Sequence, residues 1–342
     1  MHKYILGLIL LFSLHLLKAQ DKIELHVLFW NVENLFDCKH DSLKNDYDFL
    51  PTSLKHWNTS KYWNKQKALA KGIIAAGGWN PPALVGLCEV ENDSVIYDLT
   101  RRTALRKLGY RYLVTQSADS RGIDVALLYQ PEFFQVLKQQ SISVGLLPVG
   151  KRASRDLLHV SGRLWSQDTL DIFVVHLPSR YGGQAKSEPN RIYVARQLKQ
   201  HIDSLFQVRQ TPNILVMGDF NDYPHNASVQ KILQAKAPGS SCEPHKLYNL
   251  LARKRTKKHW GTYKYKNHWG VLDQFIVSGQ LLQAKATCRT SESDTQIVKL
   301  PFLLIEDTKY GGYKPFRTYN GMRYQGGFSD HLPVLSKFVV EY

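Results

Sequence analysis

The chain has 342 residues, 43% of them hydrophobic, and 45 Lys and Arg against 29 Asp and Glu give a formal net charge of +16. That much apolar material excludes a disordered chain, and four cysteines without CxxC or Cys/His spacing exclude a zinc module or a disulfide-dependent scaffold. The positive excess points to polyanionic partners, nucleic acid or an anionic phospholipid surface, and says nothing about fold.

Met1-His2-Lys3 is a short basic start, Tyr4 to Leu17 is almost wholly apolar, and Lys18-Ala19-Gln20 places a small residue before polar Asp21-Lys22. That is the order of a secretory signal peptide covering residues 1–19. A membrane anchor is the competing reading, but the apolar run of about 14 residues is short of the ~20 needed to span a bilayer. Residues 20–342 are then expected to be one domain, exported to the periplasm or outside the cell, monomeric and without an obligate protein partner.

Leu25–Trp30, Ala83–Cys88, Val125–Tyr129, Leu170–His176 and Ile214–Met217 read as buried strands, short and apolar with polar ends. Between them amphipathic helices are predicted over Lys65–Ala76, stopped by Gly77-Gly78, and from Asn92 or Asp93 to Leu108, stopped by Gly109. A third covers Arg191–Phe206. Strand patterns return at Thr262–Tyr265, Leu272–Val277 and Leu332–Val340, and Tyr310–Gly327 reads as a long surface loop. Cys242 and Cys288 are a candidate disulfide. Not every strand is followed by a helix, so mixed sheets packed face to face, with helices outside, fit better than one parallel sheet.

What ends each apolar run carries the chemistry. Trp30-Asn31-Val32-Glu33-Asn34, Cys88-Glu89-Val90, His176-Leu177-Pro178-Ser179-Arg180, Gly218-Asp219-Phe220-Asn221-Asp222, Leu272-Asp273-Gln274 and Ser329-Asp330-His331 all put metal-binding or proton-moving side chains at strand ends. Strand ends gather on one edge of a sheet, so these residues can converge from distant positions. Each alone is an ordinary turn residue or cap; six in one chain suit phosphoester hydrolysis. A phosphodiester is anionic and resists attack, so hard oxygen ligands for Mg²⁺, a base for water and a histidine for the charge at phosphorus are what the reaction requires.

In that order these motifs resemble the endonuclease/exonuclease/phosphatase superfamily, over roughly residues 24–342. The resemblance implies an α/β fold, a four-layer sandwich of two packed mixed β-sheets flanked by helices. It implies Glu89 as principal metal ligand, with Asn31, Glu33 and Asp330 near the metal. Asp219 and Asn221 resemble the pair that orients the attacking water, and His331 resembles the catalytic histidine with Asp273 as its orienting carboxylate. His176 resembles the second histidine of deoxyribonuclease-like members. The metal implied is Mg²⁺, with Mn²⁺ or Ca²⁺ as alternatives. Arg180 and Arg191 are candidate phosphate clamps, and Arg253–His259 with Trp260, Tyr263 and Tyr265 is a candidate basic-aromatic groove. The expected activity is a nuclease, endonuclease-like. A sphingomyelinase-like phospholipid phosphodiesterase, a phosphomonoesterase and an inactive polyanion-binding module are the alternatives.

Overall fold

The computed structural model describes residues 21–254 and 261–342. The leader, Trp260 and most of the basic run beginning at Arg253 lie outside the described residues.

Two mixed sheets form the centre. The first contains β1 (Lys22–Leu35), β2 (Leu84–Val90), β3 (Arg111–Val114), β4 (Asp124–Tyr129), β13 (Cys288–Arg289), β14 (Thr295–Ile297) and β19 (Val334–Glu341). Its order is β13-β19-β1-β2-β4-β3, with β14 also on β19. The second runs β5 (Gln135–Ile142), β6 (Leu157–Arg163), β7 (Thr169–His176), β8 (Asn213–Asp219), β12 (Asp273–Ser278) and β9 (Leu247–Asn249). Only β1 with β2 and β7 with β8 are parallel pairs within these sheets. Helices α1 (Thr59–Gly77) and α2 (Asp93–Arg101) cover the first sheet, and α3 (Gln184–Val208) covers the second.

Side chains alternate across a strand, and the second sheet uses that alternation to make two cores. Ile172, Val174, Leu215, Met217, Phe275 and Val277 face the first sheet. Phe173, Val175, Ile214, Val216 and Ile276 pack with Val194, Ala195, Leu198 and Ile202 of α3. Each such apolar side chain contributes about 1.5–3 kcal/mol of transfer free energy. The sheets pack so closely that a Cβ on Gly86 would stand 2.8 Å from the Met217 Cε. The four-layer sandwich expected from the motifs is the fold observed.

Three local expectations need correction. The single helix expected from residue 93 to 108 breaks after Arg101; Thr103 caps a separate turn, Ala104–Leu108, by accepting from the Leu105 N–H. Tyr310–Gly327 is not a structureless loop. It carries β16 (Tyr313–Pro315), paired with β15 (Leu304–Glu306), and the hairpin of β17 (Tyr319–Asn320) with β18 (Arg323–Tyr324). Cys242 and Cys288 are both free thiols, the second buried on β13. No helix among the described residues is long and apolar enough to cross a membrane.

Candidate active site

The carboxyl ends of β1, β2, β7 and β8 and the amino end of the antiparallel β12 meet at one end of the sandwich. In the second sheet, His176, Asp219 and Asp273 are register partners on adjacent strands β7, β8 and β12, so three chemically active side chains occupy one row. Two buried carboxylates directly opposite each other repel, and this row needs a compensating cation. His331 supplies it. Its Nδ1 lies 2.6 Å from Asp273 Oδ2, and its Nε2 faces Asp219 Oδ2 at 3.9 Å.

The Ser329-Asp330-His331 turn is pinned to the first sheet. Ser329 Oγ donates to the Asn31 carbonyl at 2.6 Å and accepts from the His331 N–H, while Trp30 Nε1 donates to the His331 carbonyl at 2.9 Å. The ring of Tyr263, on the hairpin of β10 (Tyr263–Tyr265) with β11 (His268–Gly270), packs against the imidazole with centroids 4.9 Å apart. These contacts leave His331 one orientation.

From the first sheet come Asn31 and Glu89. Glu89 sits in a bulge between Cys88 and Val90 with φ 63°, which turns its side chain out of the alternation and over the strand end. Its Oε2 accepts from the Asn34 N–H at 3.0 Å. The Asn31 side-chain amide donates both to Glu89 Oε1 at 3.2 Å and to Asp219 Oδ2 at 3.0 Å, and its oxygen accepts from the Glu33 N–H. Asn31 therefore spaces the two carboxylates as a donor, while one lone pair of its oxygen is taken by the backbone. Four of the nine non-glycine residues with positive φ among those described are Glu33, Asn34, Glu89 and Asn221. Strain of this kind concentrates at functional sites.

The loop after β8 is built for close approach. A Cβ on Gly218 would meet the Val175 carbonyl at 2.2 Å, so only glycine fits there. Asp219 Oδ1 accepts from the Asn221 N–H at 2.8 Å, while the Asn221 side-chain amide donates to the Leu177 carbonyl. Asn221 thus holds Asp219 through its backbone and ties β7 to β8 through its side chain. Asp222 is fully buried, 2.8 Å from Arg191 Nε, and accepts from Ser228 Oγ.

Burial and neighbours set the charges. Burial opposes the charge on His331, but Asp273, then Asp219 and Asp330, hold its pKa well above the usual histidine value, so it is an imidazolium. Burial drives His176 the other way, with Arg155, Arg121 and His331 adding to the effect, so it is a neutral imidazole. Its Nε2 stands 3.7 Å from Asp219 Oδ2 and 3.9 Å from Glu89 Oε1. Burial pushes Asp219 up to about 7, with His331 opposing and Asp273 reinforcing that rise. Asp219 is raised to near neutrality, while His331 is raised and His176 lowered, so the two histidines beside one carboxylate are held in different protonation states.

Two of the residues expected near a metal, Glu33 and Asp330, are bonded to one guanidinium. The carboxylate of Glu33 accepts from Arg317 Nε at 3.2 Å and from the Thr318 N–H at 2.6 Å. Asp330 Oδ2 accepts from Arg317 Nη2 at 3.1 Å. Burial and Asp330 raise the Glu33 pKa, with Lys65 and Arg317 opposing. The two candidate phosphate clamps differ in placement. Arg191 is 0% exposed beneath the loop, so its expected role in substrate binding is corrected to a buried support of Asp222. Arg180 donates to the Asn221 carbonyl, Asn226 Oδ1 and Gln184 Oε1 and stacks over Tyr223, bracing the same loop. Arg317 and Lys65 escaped the sequence reading. Lys65 is buried in α1 and donates to the carbonyls of Glu33 and Phe328 and to Thr318 Oγ1. Neither belongs to a motif, and no local signal marks them.

A hard divalent ion fits this donor set. Glu89 and Asp219 bring carboxylate oxygens to either side of one neutral amide, the ligand chemistry such an ion prefers. Among the described residues, Asp219, Asp273 and His331 also bring three donor atoms within 4.8 Å of one another. An imidazolium has no free lone pair, however, so His331 in that state is a donor and not a ligand.

The fold is shared with solved structures of low sequence identity. It matches the catalytic domain of human Nocturnin with bound sulfate anion at a TM-score of 0.56 and 17% identity, over 94% of this chain and 97% of that one. It matches the Bacteroides thetaiotaomicron mannosyl-6-phosphatase at 0.53 and 14%, over 92% and 99%. It matches D. rerio TDP2 complexed with single strand DNA product at 0.52 and 14%, over 92% and 98%. No curated protein matches the sequence significantly. The sequence profile of the Endonuclease/Exonuclease/phosphatase family matches residues 26–339, and the chain belongs to that family of metal-dependent phosphoric-ester hydrolases.

Proposed function

We propose that this protein is an exported, Mg²⁺-dependent phosphodiesterase that cuts nucleic acid internally. The observation that carries the chemistry is the buried His331–Asp273 pair facing Asp219, beside the carboxylate of Glu89. Glu89, beside the Asn31 amide, would hold the ion, which when bound would neutralise phosphoryl oxygens and polarise the phosphorus.

The protein's own groups supply the rest. Asp219, with a pKa near neutrality, takes a proton from the attacking water. The Asn221 N–H and the Asn31 amide fix its two oxygens so that it does not rotate away. His331 directs Nε2–H at the phosphate and stabilises the charge that develops there, while Asp273 holds Nδ1. Neutral His176 is available as a second donor without adding charge beside the ion.

Nucleic acid is favoured by the net charge of +16 and by the rim beside His331. Tyr265 and Tyr313 are 62% and 63% exposed there, next to Lys266 and Lys314, and the Lys264–Asp307 ion pair ties their two hairpins together. Exposed aromatics among cations suit stacked bases along a phosphate backbone. A phosphomonoester substrate is the second reading, favoured by the shared fold with the mannosyl-6-phosphatase.

Hydrolysis of supercoiled plasmid, single-stranded RNA, sphingomyelin vesicles and p-nitrophenyl phosphate, each with Mg²⁺ and with EDTA, tests the proposal. Nicking that EDTA abolishes supports a nuclease. Turnover of the monoester or the lipid alone moves the substrate and keeps the site.

A further inference from the structure

The charges at this end of the sandwich fall into three groups. Asp273 and His331 form a pair with no net charge. Glu33 and Asp330 are both bonded to the guanidinium of Arg317, and the buried Lys65 ammonium rests on the Glu33 carbonyl behind them. Two carboxylates thus face two cations. Glu89 and Asp219 stand on either side of the Asn31 amide, and Arg155, which shares the Asp119 carboxylate with Arg121, acts on Glu89.

We infer that Arg317 is a resident cation of this centre, which occupies Glu33 and Asp330 so that the protein holds one divalent ion, at Glu89. The inference rests on the metal dependence in the proposed function and goes beyond it to the number of ions and the residue that sets it. The two carboxylates are taken by neighbouring nitrogens, Nε and Nη2, of one planar fork, which brings them close together. The other Glu33 oxygen is occupied by the Thr318 N–H at 2.6 Å. A metal ion placed there would meet two cations already balancing the two acids, and it would have to break these bonds to enter. Without the guanidinium, the same carboxylates would face each other with only Lys65 in support, an arrangement that invites a cation.

Counting bound Mn²⁺ by equilibrium dialysis and by the electron paramagnetic resonance of the free ion tests this without reference to turnover. The wild-type protein is expected to bind one equivalent, and Glu89→Gln to weaken it by about 100-fold or more. Arg317→Gln is expected to bind two, and Glu33→Gln/Arg317→Gln to return to one. Should Arg317→Gln fail to fold by circular dichroism, Glu33→Gln alone decides. Its Mn²⁺ affinity should stay within about threefold of wild type, whereas loss in the ~10–100-fold range seen for disturbed metal sites would make Glu33 part of the metal site and overturn the inference. Two equivalents in the wild type, or one in folded Arg317→Gln, would also overturn it while leaving metal-dependent hydrolysis standing. No bound Mn²⁺ in the wild type, with hydrolysis insensitive to EDTA, would sink both.

Discussion

Replacing Asp273 by Asn keeps the shape of the pair and removes its charge. His331 and Asp273 are 6% and 0% exposed, so water screens little of their attraction. Of the charges that support the imidazolium, Asp273 at 2.6 Å outranks Asp219 at 3.9 Å, both by proximity and by its direct hydrogen bond. Breaking a buried pair by removing one partner costs about 3–5 kcal/mol, of which Asp219 recovers part. Taking about 2–4 kcal/mol as the loss at the transition state, kcat falls by roughly 30- to 1000-fold. The pH profile separates this account from simple damage. In the wild type, activity persists while His331 keeps its proton, well above the usual histidine range. In Asp273→Asn only Asp219 and Asp330 still oppose burial, so His331 loses its proton at lower pH. The ratio of wild-type to variant kcat therefore grows as pH rises. Initial rates across the neutral range under saturating metal measure it. A ratio that stays constant with pH would refute the argument, because a merely displaced histidine loses the same factor everywhere.

Two further predictions concern stability. Asp219 has a folded pKa raised from 3.8 to about 7, so between those values the folded state binds a proton that the unfolded state has released. Stability is lost as pH rises through that window, and the deficit is complete above it. Asp219→Asn should thus melt higher than wild type at alkaline pH and converge with it in acid; the opposite order would show that the charge is not a burden. Arg191→Met leaves Asp222 buried with Arg180 at 3.4 Å and Ser228 as its remaining partners. It should lose about 3–5 kcal/mol of unfolding free energy in urea with an unchanged m-value. KM for substrate should hold; a raised KM at unchanged stability would restore Arg191 as a clamp.

The sequence reading reached those features that are local. Buried strands announce themselves as apolar runs, and β2, β4, β7 and β8 lie where those runs are, each within a residue or two at its ends. Gln135–Ile142 does not: it is mostly exposed, polar and paired on one side only, as an edge strand is, so no apolar run marks β5. β1 continues five residues past its apolar stretch because Trp30-Asn31-Val32-Glu33-Asn34 stays beside β2 across a bulge. In the site, strand-end motifs brought Asn31, Glu89, His176, Asp219, Asp273 and His331 together as their spacing implied. What each polar group bonds to was not legible. Glu33 and Asp330 are acids in motif positions, and only tertiary folding reveals that Arg317, nearly 300 residues from Glu33 in the chain, takes them both. Arg191 reads as a candidate phosphate clamp at the start of a helix pattern, and only the folded structure shows it buried against Asp222.

The most direct test of the central claim is His331→Ala under saturating Mg²⁺, with kcat, KM and Mn²⁺ affinity measured on whichever substrate the wild type hydrolyses. If the His331 imidazolium acts on the phosphate, kcat falls by about 100- to 10,000-fold, while KM and metal affinity change little. Retention of wild-type kcat, or an equal loss in kcat and metal affinity, would contradict a catalytic centre built on His331.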